Sequence, residues 1–151
     1  MHPRMSIRKP AAEGMKAMMA LESYVRNSPV PKATLELVKI RVSQINGCGF
    51  CVDMHARDFR NAGESDERLW SVAAWREAPY YTDEERAALA LAEAATRLSD
   101  SPEGVPDEVW EAAADHFDEE QLSALIMAIA AINAWNRINV TIRTPAGTPM
   151  L

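Results

Sequence analysis

The chain has 151 residues and a formal net charge of −6, from 16 lysines and arginines against 22 aspartates and glutamates. This length is typical of one domain that buries a hydrophobic core without a structural metal or disulfide bonds. The acidic balance and the lack of a basic block argue against nucleic acid or an anionic membrane as the main partner. Small molecules or other proteins are the expected partners.

Apolar residues recur with the period of an α-helix along most of the chain. Ser65, Thr82 and Asp118 have the residue pattern of helix N-caps, and the last two begin capping boxes. The segments with helical periodicity, in chain order, are residues 15–25, 31–45, 48–61, 66–75, 82–98, 106–117 and 122–142. They predict an all-α domain of about six helices, with the cysteine pair at the start of a central helix.

The organisation of the chain is predicted to be simple. Residues 138–142 are compatible with a short strand, but we interpret them as the end of the last helix. We expect an N-terminal extension over residues 1–14, the helical domain over 15–147 and a C-terminal tail over 148–151. Because no apolar run has the length of a signal peptide or of an uninterrupted membrane span, we predict a soluble, cytoplasmic protein.

The two cysteines of the chain are Cys48 and Cys51, and His55 follows four residues later. Offsets of zero, three and seven residues, at roughly 100° each, place both sulfurs and the imidazole within about 60° of arc on a helix. Glycines on either side of Cys48 indicate that the helix begins there, where free N–H groups and the positive dipole end favour a thiolate. In a cytosolic protein this pattern is more typical of redox or metal chemistry than of a structural disulfide.

Glu36 is predicted to stand level with His55. At 1.5 Å per residue the two lie roughly 14 and 12 Å from the turn at residues 46–47, on helices that would pack antiparallel. A carboxylate beside one ring nitrogen fixes the tautomer, while the other nitrogen takes a proton from Cys51, directly or through a water. This is the logic of nucleophile, base and orienting acid. A thioredoxin-like site is disfavoured because no strand precedes the cysteines.

Other readings of these residues remain open. Zinc also binds cysteine and histidine, but a structural site takes four ligands, and His2 and His116 are far away in sequence, so we predict neither metal nor cofactor. A non-catalytic interaction module with buried cysteines is a further alternative, which the adjacent glycines and Asn46 disfavour because they argue against full burial.

Three polar features of the later helices are interpreted as structural. Glu93 lies inside the apolar run 89–95 and is predicted to meet a partner such as an arginine. On the last helix, Asn136 and Arg137 lie three and four residues after Asn133. We interpret them as polar pairs between helices, with anchoring of a substrate or of a neighbouring subunit as the alternative.

The spacing of Glu36, eleven residues, Cys48-Gly49-Phe50-Cys51, three residues and His55 resembles the signature of the AhpD-like alkylhydroperoxidases, within the carboxymuconolactone decarboxylase superfamily. The resemblance extends to residues 75–79, to the helix after Thr82 and to residues 132–137. It implies an all-helical fold, a homo-oligomer that is commonly a trimer or hexamer, and a thiol-dependent peroxidase cycle.

By the same resemblance, Cys51 attacks the hydroperoxide and becomes a sulfenic acid, Cys48 resolves it to a disulfide, and Glu36 and His55 relay the proton. A dithiol or a protein donor would return the electrons. The well-studied member of the family has a histidine immediately before its second cysteine, where this chain has Phe50. The alternative is therefore a general dithiol–disulfide oxidoreductase with weak peroxidase activity, and less favoured is a decarboxylase of the same superfamily.

Overall fold

The computed structural model describes residues 2–149, which form seven α-helices and two short 3₁₀ helices, with no strand in this range. The α-helices are α1 (Ala12–Arg26), α2 (Lys32–Ile45), α3 (Gly49–Asn61), α4 (Asp66–Ser71), α5 (Asp83–Thr96), α6 (Asp107–His116) and α7 (Glu119–Ile142). The predicted all-α class is confirmed. The predicted capping boxes at Thr82 and Asp118 are both formed, with Glu85 and Gln121 as the reciprocal partners.

The seven α-helices correspond one to one with the seven predicted segments, in agreement with a domain of about six helices, but the fourth helix is shorter than expected. Ser65 caps α4, but this helix ends at Ser71 and the 3₁₀ helix Val72–Ala74 follows. In a 3₁₀ turn the side chains at i and i+3 lie above one another, so Val72 and Trp75 both enter the core. α5 likewise ends at Thr96, before a second 3₁₀ helix, Leu98–Asp100.

The predicted domain limits remain a prediction. α1 begins at Ala12, inside the segment that the sequence assigned to an N-terminal extension. Met1 of that extension and residues 150–151 of the predicted tail lie outside the described residues.

α2 is the central helix, and it packs against α3, α5 and α7. Its residues Val38 and Val42 join a core cluster that also contains both cysteines, while Leu37 and Ile40 join a second cluster with Phe59 and Trp75. All four α2 side chains are fully buried. Since burying one such side chain stabilises a fold by about 1.5–3 kcal/mol, α2 fixes the positions of the helices on either side of it.

α7 is the longest helix, at 24 residues, and is the one described helix long and apolar enough to cross a membrane by length and composition. A core helix passes the same test. Its side chains Ala124, Leu125, Ala128 and Ile132 are buried against the rest of the fold, and Ile126, Met127 and Val140 are exposed.

Candidate active site

The cysteine pair lies where α2 turns into α3. Gly47 has φ of +67°, a left-handed conformation that glycine adopts without strain, and this turn lets α3 run back along α2. Cys48 is the N-cap of α3: its sulfur accepts a hydrogen bond from the Cys51 N–H, with an N···S distance of 3.4 Å. The N–H of Cys48 donates to the Ser43 carbonyl at 2.9 Å. The Cys48 sulfur therefore lies at the positive end of α3.

The two thiols differ in acidity because one donates to the other. The hydrogen bond from the Cys51 thiol is the largest influence on Cys48; burial opposes it, but donors on the Cys51 and Phe50 backbone and on Asn136 bring the Cys48 pKa down to about 7. The same thiol–thiol bond raises the pKa of Cys51, and burial and the negative charge of Cys48 add to the effect. In the reduced pair the negative charge therefore lies on Cys48, in agreement with the helix-dipole argument.

Both cysteines are buried, with 2% and 1% of their surface exposed. The sequence indicated the opposite, and this prediction was wrong. The glycines beside Cys48 are exposed, but the sulfurs point the other way, into a cluster with Ile129 and Ile132 of α7. Asn46 does not keep the site open to water, because its amide is satisfied by side chains of α7.

Glu36 and His55 meet as the helix arithmetic predicted. The imidazole Nδ1 lies 2.8 Å from Glu36 Oε2, and His55 is only 6% exposed. A carboxylate at this nitrogen requires Nδ1 to carry a proton, so Nε2 of a neutral ring is free to accept one. Burial raises the pKa of Glu36, but the hydrogen bond and charge of His55 and the charge of Lys39 outweigh it, and the pKa is lowered. Glu36 is therefore ionised.

Two further charged residues, Lys39 and Glu22, extend the Glu36–His55 pair by ion pairing, and their role was not predicted from the sequence. Lys39 Nζ lies 3.6 Å from Glu36 Oε1 and 2.5 Å from Glu22 Oε1, and Lys39 is 5% exposed. Glu22 thus links α1 to the site. The available signals were a lysine one turn after Glu36 and between the apolar residues Val38 and Ile40, and a carboxylate on the methionine-rich face of α1.

A cavity of about 890 Å³ gives this site its access. Cys51, His55 and Glu36 lie on its wall, whereas Cys48 does not. Much of the remaining wall is apolar and includes Met15, Met19, Leu35, Met54, Trp135 and Ile138. Phe50, which stands where the resemblance expects a histidine, also faces this space.

The chain termini complete the cavity wall. Residues 3–8 cross the end of α7, because the Arg4 N–H donates to the Ile142 carbonyl at 2.8 Å and its guanidinium donates to the Thr141 carbonyl at 3.0 Å. Pro3, Met5 and Ile7 line the cavity from this segment. Part of the predicted N-terminal extension therefore belongs to the candidate site.

His55 does not touch the thiols directly. Within residues 2–149, no hydrogen bond joins its ring to either sulfur; its one such partner is Glu36. Cys51 and His55 do face the same cavity, one helical turn apart on α3. A water molecule or a peroxide oxygen between them would complete the predicted path from thiol to imidazole.

One group of potential metal ligands is found among the described residues: Glu36, His55 and Asp58, whose ligand atoms lie within 4.8 Å of one another. The two cysteines do not belong to it. Both Glu36 oxygens are already engaged, by His55 and by Lys39. A zinc ion held by Cys48, Cys51 and His55, the alternative weighed from the sequence, has no such convergent set of atoms here.

The class of this protein is defined by a helical fold with a cysteine pair at the start of α3 and a glutamate–histidine pair beside it. The sequence model of the Carboxymuconolactone decarboxylase family matches residues 12–94, more than half of the chain, and the chain belongs to this family.

Two proteins are similar to this chain over nearly its whole length. The chain is 44% identical over 148 residues to the uncharacterized protein YdfG of Bacillus subtilis, covering 98% of this chain and 99% of that one. A crystal structure from Agrobacterium tumefaciens, described as a protein of unknown function and provisionally as the antioxidant defence protein AhpD, superposes with a TM-score of 0.91 at 39% identity. That match covers 98% of this chain and 100% of the other.

The match to proteins named alkyl hydroperoxide reductase AhpD is shorter. The AhpD of Bradyrhizobium diazoefficiens is 44% identical over 45 residues, which is 30% of this chain and 25% of that protein. Together with the Agrobacterium tumefaciens structure, this similarity makes the chain an AhpD-like member of the family.

Proposed function

We propose that this protein is a thiol-dependent reductase of organic hydroperoxides that cycles between a Cys48/Cys51 dithiol and a disulfide. The observation that carries the proposal is the shared cavity: Cys51 and the Glu36–His55 pair line it, and the acidic Cys48 is hydrogen-bonded to Cys51 without lining it. A nucleophile, a proton carrier and a resolving thiol are thereby within reach of one bound molecule.

The first half of the cycle oxidises Cys51. Its thiol proton passes to the Cys48 thiolate, which already accepts it as a hydrogen bond, and the Cys51 thiolate attacks the terminal oxygen of the hydroperoxide. The O–O bond breaks and Cys51 becomes a sulfenic acid. The alkoxide takes a proton from Nε2 of His55, which the ring has drawn from water in the cavity, and leaves as an alcohol. Glu36 stabilises the protonated ring.

The second half restores the dithiol. Cys48 attacks the sulfenic sulfur, the S–O bond breaks, and water leaves with the Cys48 proton, so that an intramolecular disulfide forms. An external dithiol then reduces this disulfide and is itself oxidised. The sum is one hydroperoxide and one dithiol converted to an alcohol, water and one disulfide.

Attack by Cys51 is proposed although the resting charge lies on Cys48. Access decides the order, because Cys51 lines the cavity and Cys48 does not. The thiol–thiol hydrogen bond makes the required proton shift short.

The burial of both sulfurs bears on the alternative of general dithiol–disulfide exchange. A protein disulfide would need to bring its sulfur in line with Cys51, which is 1% exposed. A hydroperoxide, or a dithiol on a slender arm, needs only to enter the cavity. The geometry therefore favours small oxidants over folded protein substrates.

The test is a single-turnover experiment. Reduced protein is mixed with cumene hydroperoxide, and free thiols and cumyl alcohol are counted over time; we expect two thiols lost and one alcohol formed per chain. Thiols that survive while a control thiol protein is oxidised would contradict the proposal. Oxidation by a model protein disulfide, without reaction with the hydroperoxide, would favour the exchange alternative.

Single-cysteine variants test the order of attack. In Cys48→Ser the proposal expects a stable sulfenic acid on Cys51, which dimedone traps for mass spectrometry. In Cys51→Ser it expects no trapped adduct on the same timescale. An adduct on Cys48 in the second variant would reverse the roles of the cysteines.

The predicted cytoplasmic homo-oligomer remains a proposal. It is supported by the exposed apolar side chains of α7, Ile126, Met127 and Val140, which a second copy of the chain would cover. Light scattering during gel filtration of the protein prepared without detergent should give a multiple of the 16.7 kDa chain mass. A protein recovered only with membranes would instead point to α7 as a membrane segment.

A further inference from the structure

Three asparagines of α7 follow one another at intervals of three residues and face the turn between α2 and α3. Asn133 accepts a hydrogen bond from Asn46 at 2.9 Å, Asn136 contacts Asn46 and Ser43, and Asn139 contacts Cys51. The sequence suggested only polar pairs between helices. Asn139, however, donates to a reacting sulfur, and Asn136 lowers the pKa of both thiols.

The orientation of Asn136 is set by its neighbours. Its Oδ1 accepts from Asn46 Nδ2 at 2.9 Å, and its Nδ2 donates to the Ser43 hydroxyl at 3.0 Å. The same side-chain amide lowers the pKa of both thiols as a hydrogen-bond donor. Asn136 is 0% exposed, so no water competes for this donor.

Asn139 is held in the same manner, but it reaches the cavity. Its Nδ2 donates to the Trp135 carbonyl at 2.9 Å, which fixes the nitrogen end of the amide towards the protein. The second N–H of this nitrogen is directed at Cys51 Sγ, at an N···S distance of 3.7 Å. Asn139 and Cys51 both line the cavity, whereas Asn136 does not.

We propose that Asn136 and Asn139 form an amide pair that stabilises negative charge on the dithiol, and that Asn139 is the catalytic donor to Cys51 during attack. The inference rests on the proposed function, in which charge passes from Cys48 to Cys51 and then to the sulfenic oxygen. The buried Asn136 amide, which lowers the pKa of both thiols, stabilises the charge before the shift. Asn139 touches only Cys51, on the side where the peroxide arrives. Each amide donates a hydrogen bond and keeps its proton.

The physical need for such donors follows from burial. A thiolate removed from water loses its hydration, and donors fixed in the protein replace it without having to reorganise during the reaction. The N-terminus of α3 provides such a hydrogen-bond donor to Cys48. Cys51, three residues into the helix, lacks that position, and the Asn139 amide takes the place of the backbone donors.

The test isolates Cys51 by working in a Cys48→Ser background, with and without Asn139→Leu. Leucine has the same branching and the same number of side-chain heavy atoms as asparagine, and it donates no hydrogen bond. The pH dependence of iodoacetamide alkylation gives the Cys51 pKa directly, and we expect Asn139→Leu to raise it, slowing alkylation about tenfold at neutral pH. Asn139→Asp should raise it further, because a carboxylate repels the thiolate.

Asn133→Leu is the matched control. It removes an amide from the same row of α7 that has no sulfur contact, so we expect reduced stability to urea with an unchanged alkylation profile. An unchanged profile in Asn139→Leu, or an equal shift in Asn133→Leu, would overturn the proposal. Alkylation needs no peroxide, so this result stands even if the hydroperoxide test of the proposed function fails. In the protein with both cysteines, Asn139→Leu should also slow oxidation by cumene hydroperoxide about tenfold.

Discussion

Two carboxylates of this protein, the partly buried Glu36 and the buried Glu93, both have charged partners and a lowered pKa, and they differ in what surrounds them. Glu36 bonds to His55 and lies near Lys39, while Glu93 of α5 bonds to Arg41 and Arg76, each at 2.6 Å. Burial acts to raise the pKa of each, and the partners of each outweigh it, so both pKa values are lowered. The pKa direction alone therefore does not separate a reactive carboxylate from a structural one.

The partners and the space around them make the difference. Glu93 is saturated by two guanidinium groups, which do not release a proton, and by the Trp75 indole N–H at 3.1 Å. It is 4% exposed and does not line the cavity. Glu36 instead holds an imidazole, whose unperturbed pKa lies near neutrality, on the wall of a cavity that also contains a thiol. Glu36 is placed for proton transfer, and Glu93 for holding α2 to the chain before α5.

The largest effect is expected from Glu93→Ala, and it should be an effect on stability. The substitution leaves the 12%-exposed Arg41 without its counter-charge, which typically costs about 3–5 kcal/mol. Urea unfolding followed by circular dichroism would measure the loss. Activity per folded molecule should be retained, and a large loss of activity in fully folded protein would break the distinction between the two carboxylates.

His55→Ala should reduce activity and change stability little. Removal of a positioned proton carrier typically slows a reaction by about a hundredfold, so single-turnover oxidation by cumene hydroperoxide should slow by that factor. Glu36 keeps Lys39 as a partner, and the free energy of unfolding should change far less than in Glu93→Ala. Unchanged oxidation kinetics would remove His55 from the mechanism.

The reduced dithiol should titrate near neutral pH. A thiolate absorbs ultraviolet light more strongly than a thiol, so the absorbance of the reduced protein, compared with that of Cys48→Ser, should rise with pH and level off above the Cys48 pKa of about 7. The rise should fall between about pH 6 and pH 8, well below that of an ordinary cysteine. A midpoint near that of free cysteine would mean that the thiol–thiol hydrogen bond does not persist in solution.

Glu36→Gln should slow hydroperoxide reduction about tenfold, the equivalent of one pKa unit in proton transfer. The amide keeps the size of the side chain but removes the charge that stabilises the protonated imidazole. Full activity across the pH range would show that His55 needs only a hydrogen-bonding neighbour. The matched Glu93→Gln variant should lose stability instead, which would sharpen the comparison.

The sequence predicted those parts of the site that local geometry decides. Residue spacing on two antiparallel helices was enough to bring Glu36 to His55, and the glycine-flanked Cys48 was correctly placed at a helix start. The burial of the sulfurs was missed because α7 covers them from more than 70 positions away in the chain. The same distance concealed the contacts of Asn136 and Asn139, since a helix period tells which face is polar and not what that face meets.

The same limit applies to the charged residues, because the sequence indicates that a buried charge needs a partner but does not identify that partner. Glu93, inside an apolar run, was predicted to need a partner, and it has Arg41 and Arg76, but the period of α5 could not name them. Lys39 and Glu22 were missed because each is unremarkable on its own helix. They become part of the site only when α1 packs beside α2, which is a tertiary contact.

The smallest effect, from Arg76→Met, tests which arginine neutralises Glu93. Arg76 is 60% exposed at the ion pair and stacks on Trp75, with its guanidinium carbon 4.2 Å from the ring centroid. Exposed ion pairs and cation–π contacts each contribute about 1 kcal/mol or less, and methionine preserves the packing of the aliphatic stem. Urea unfolding should therefore show a loss of about 1 kcal/mol, because Arg41 and the indole N–H still bind the carboxylate. A loss as large as that of Glu93→Ala would make Arg76 the principal counter-charge, and the structural carboxylate would then depend on a surface residue rather than on the central helix.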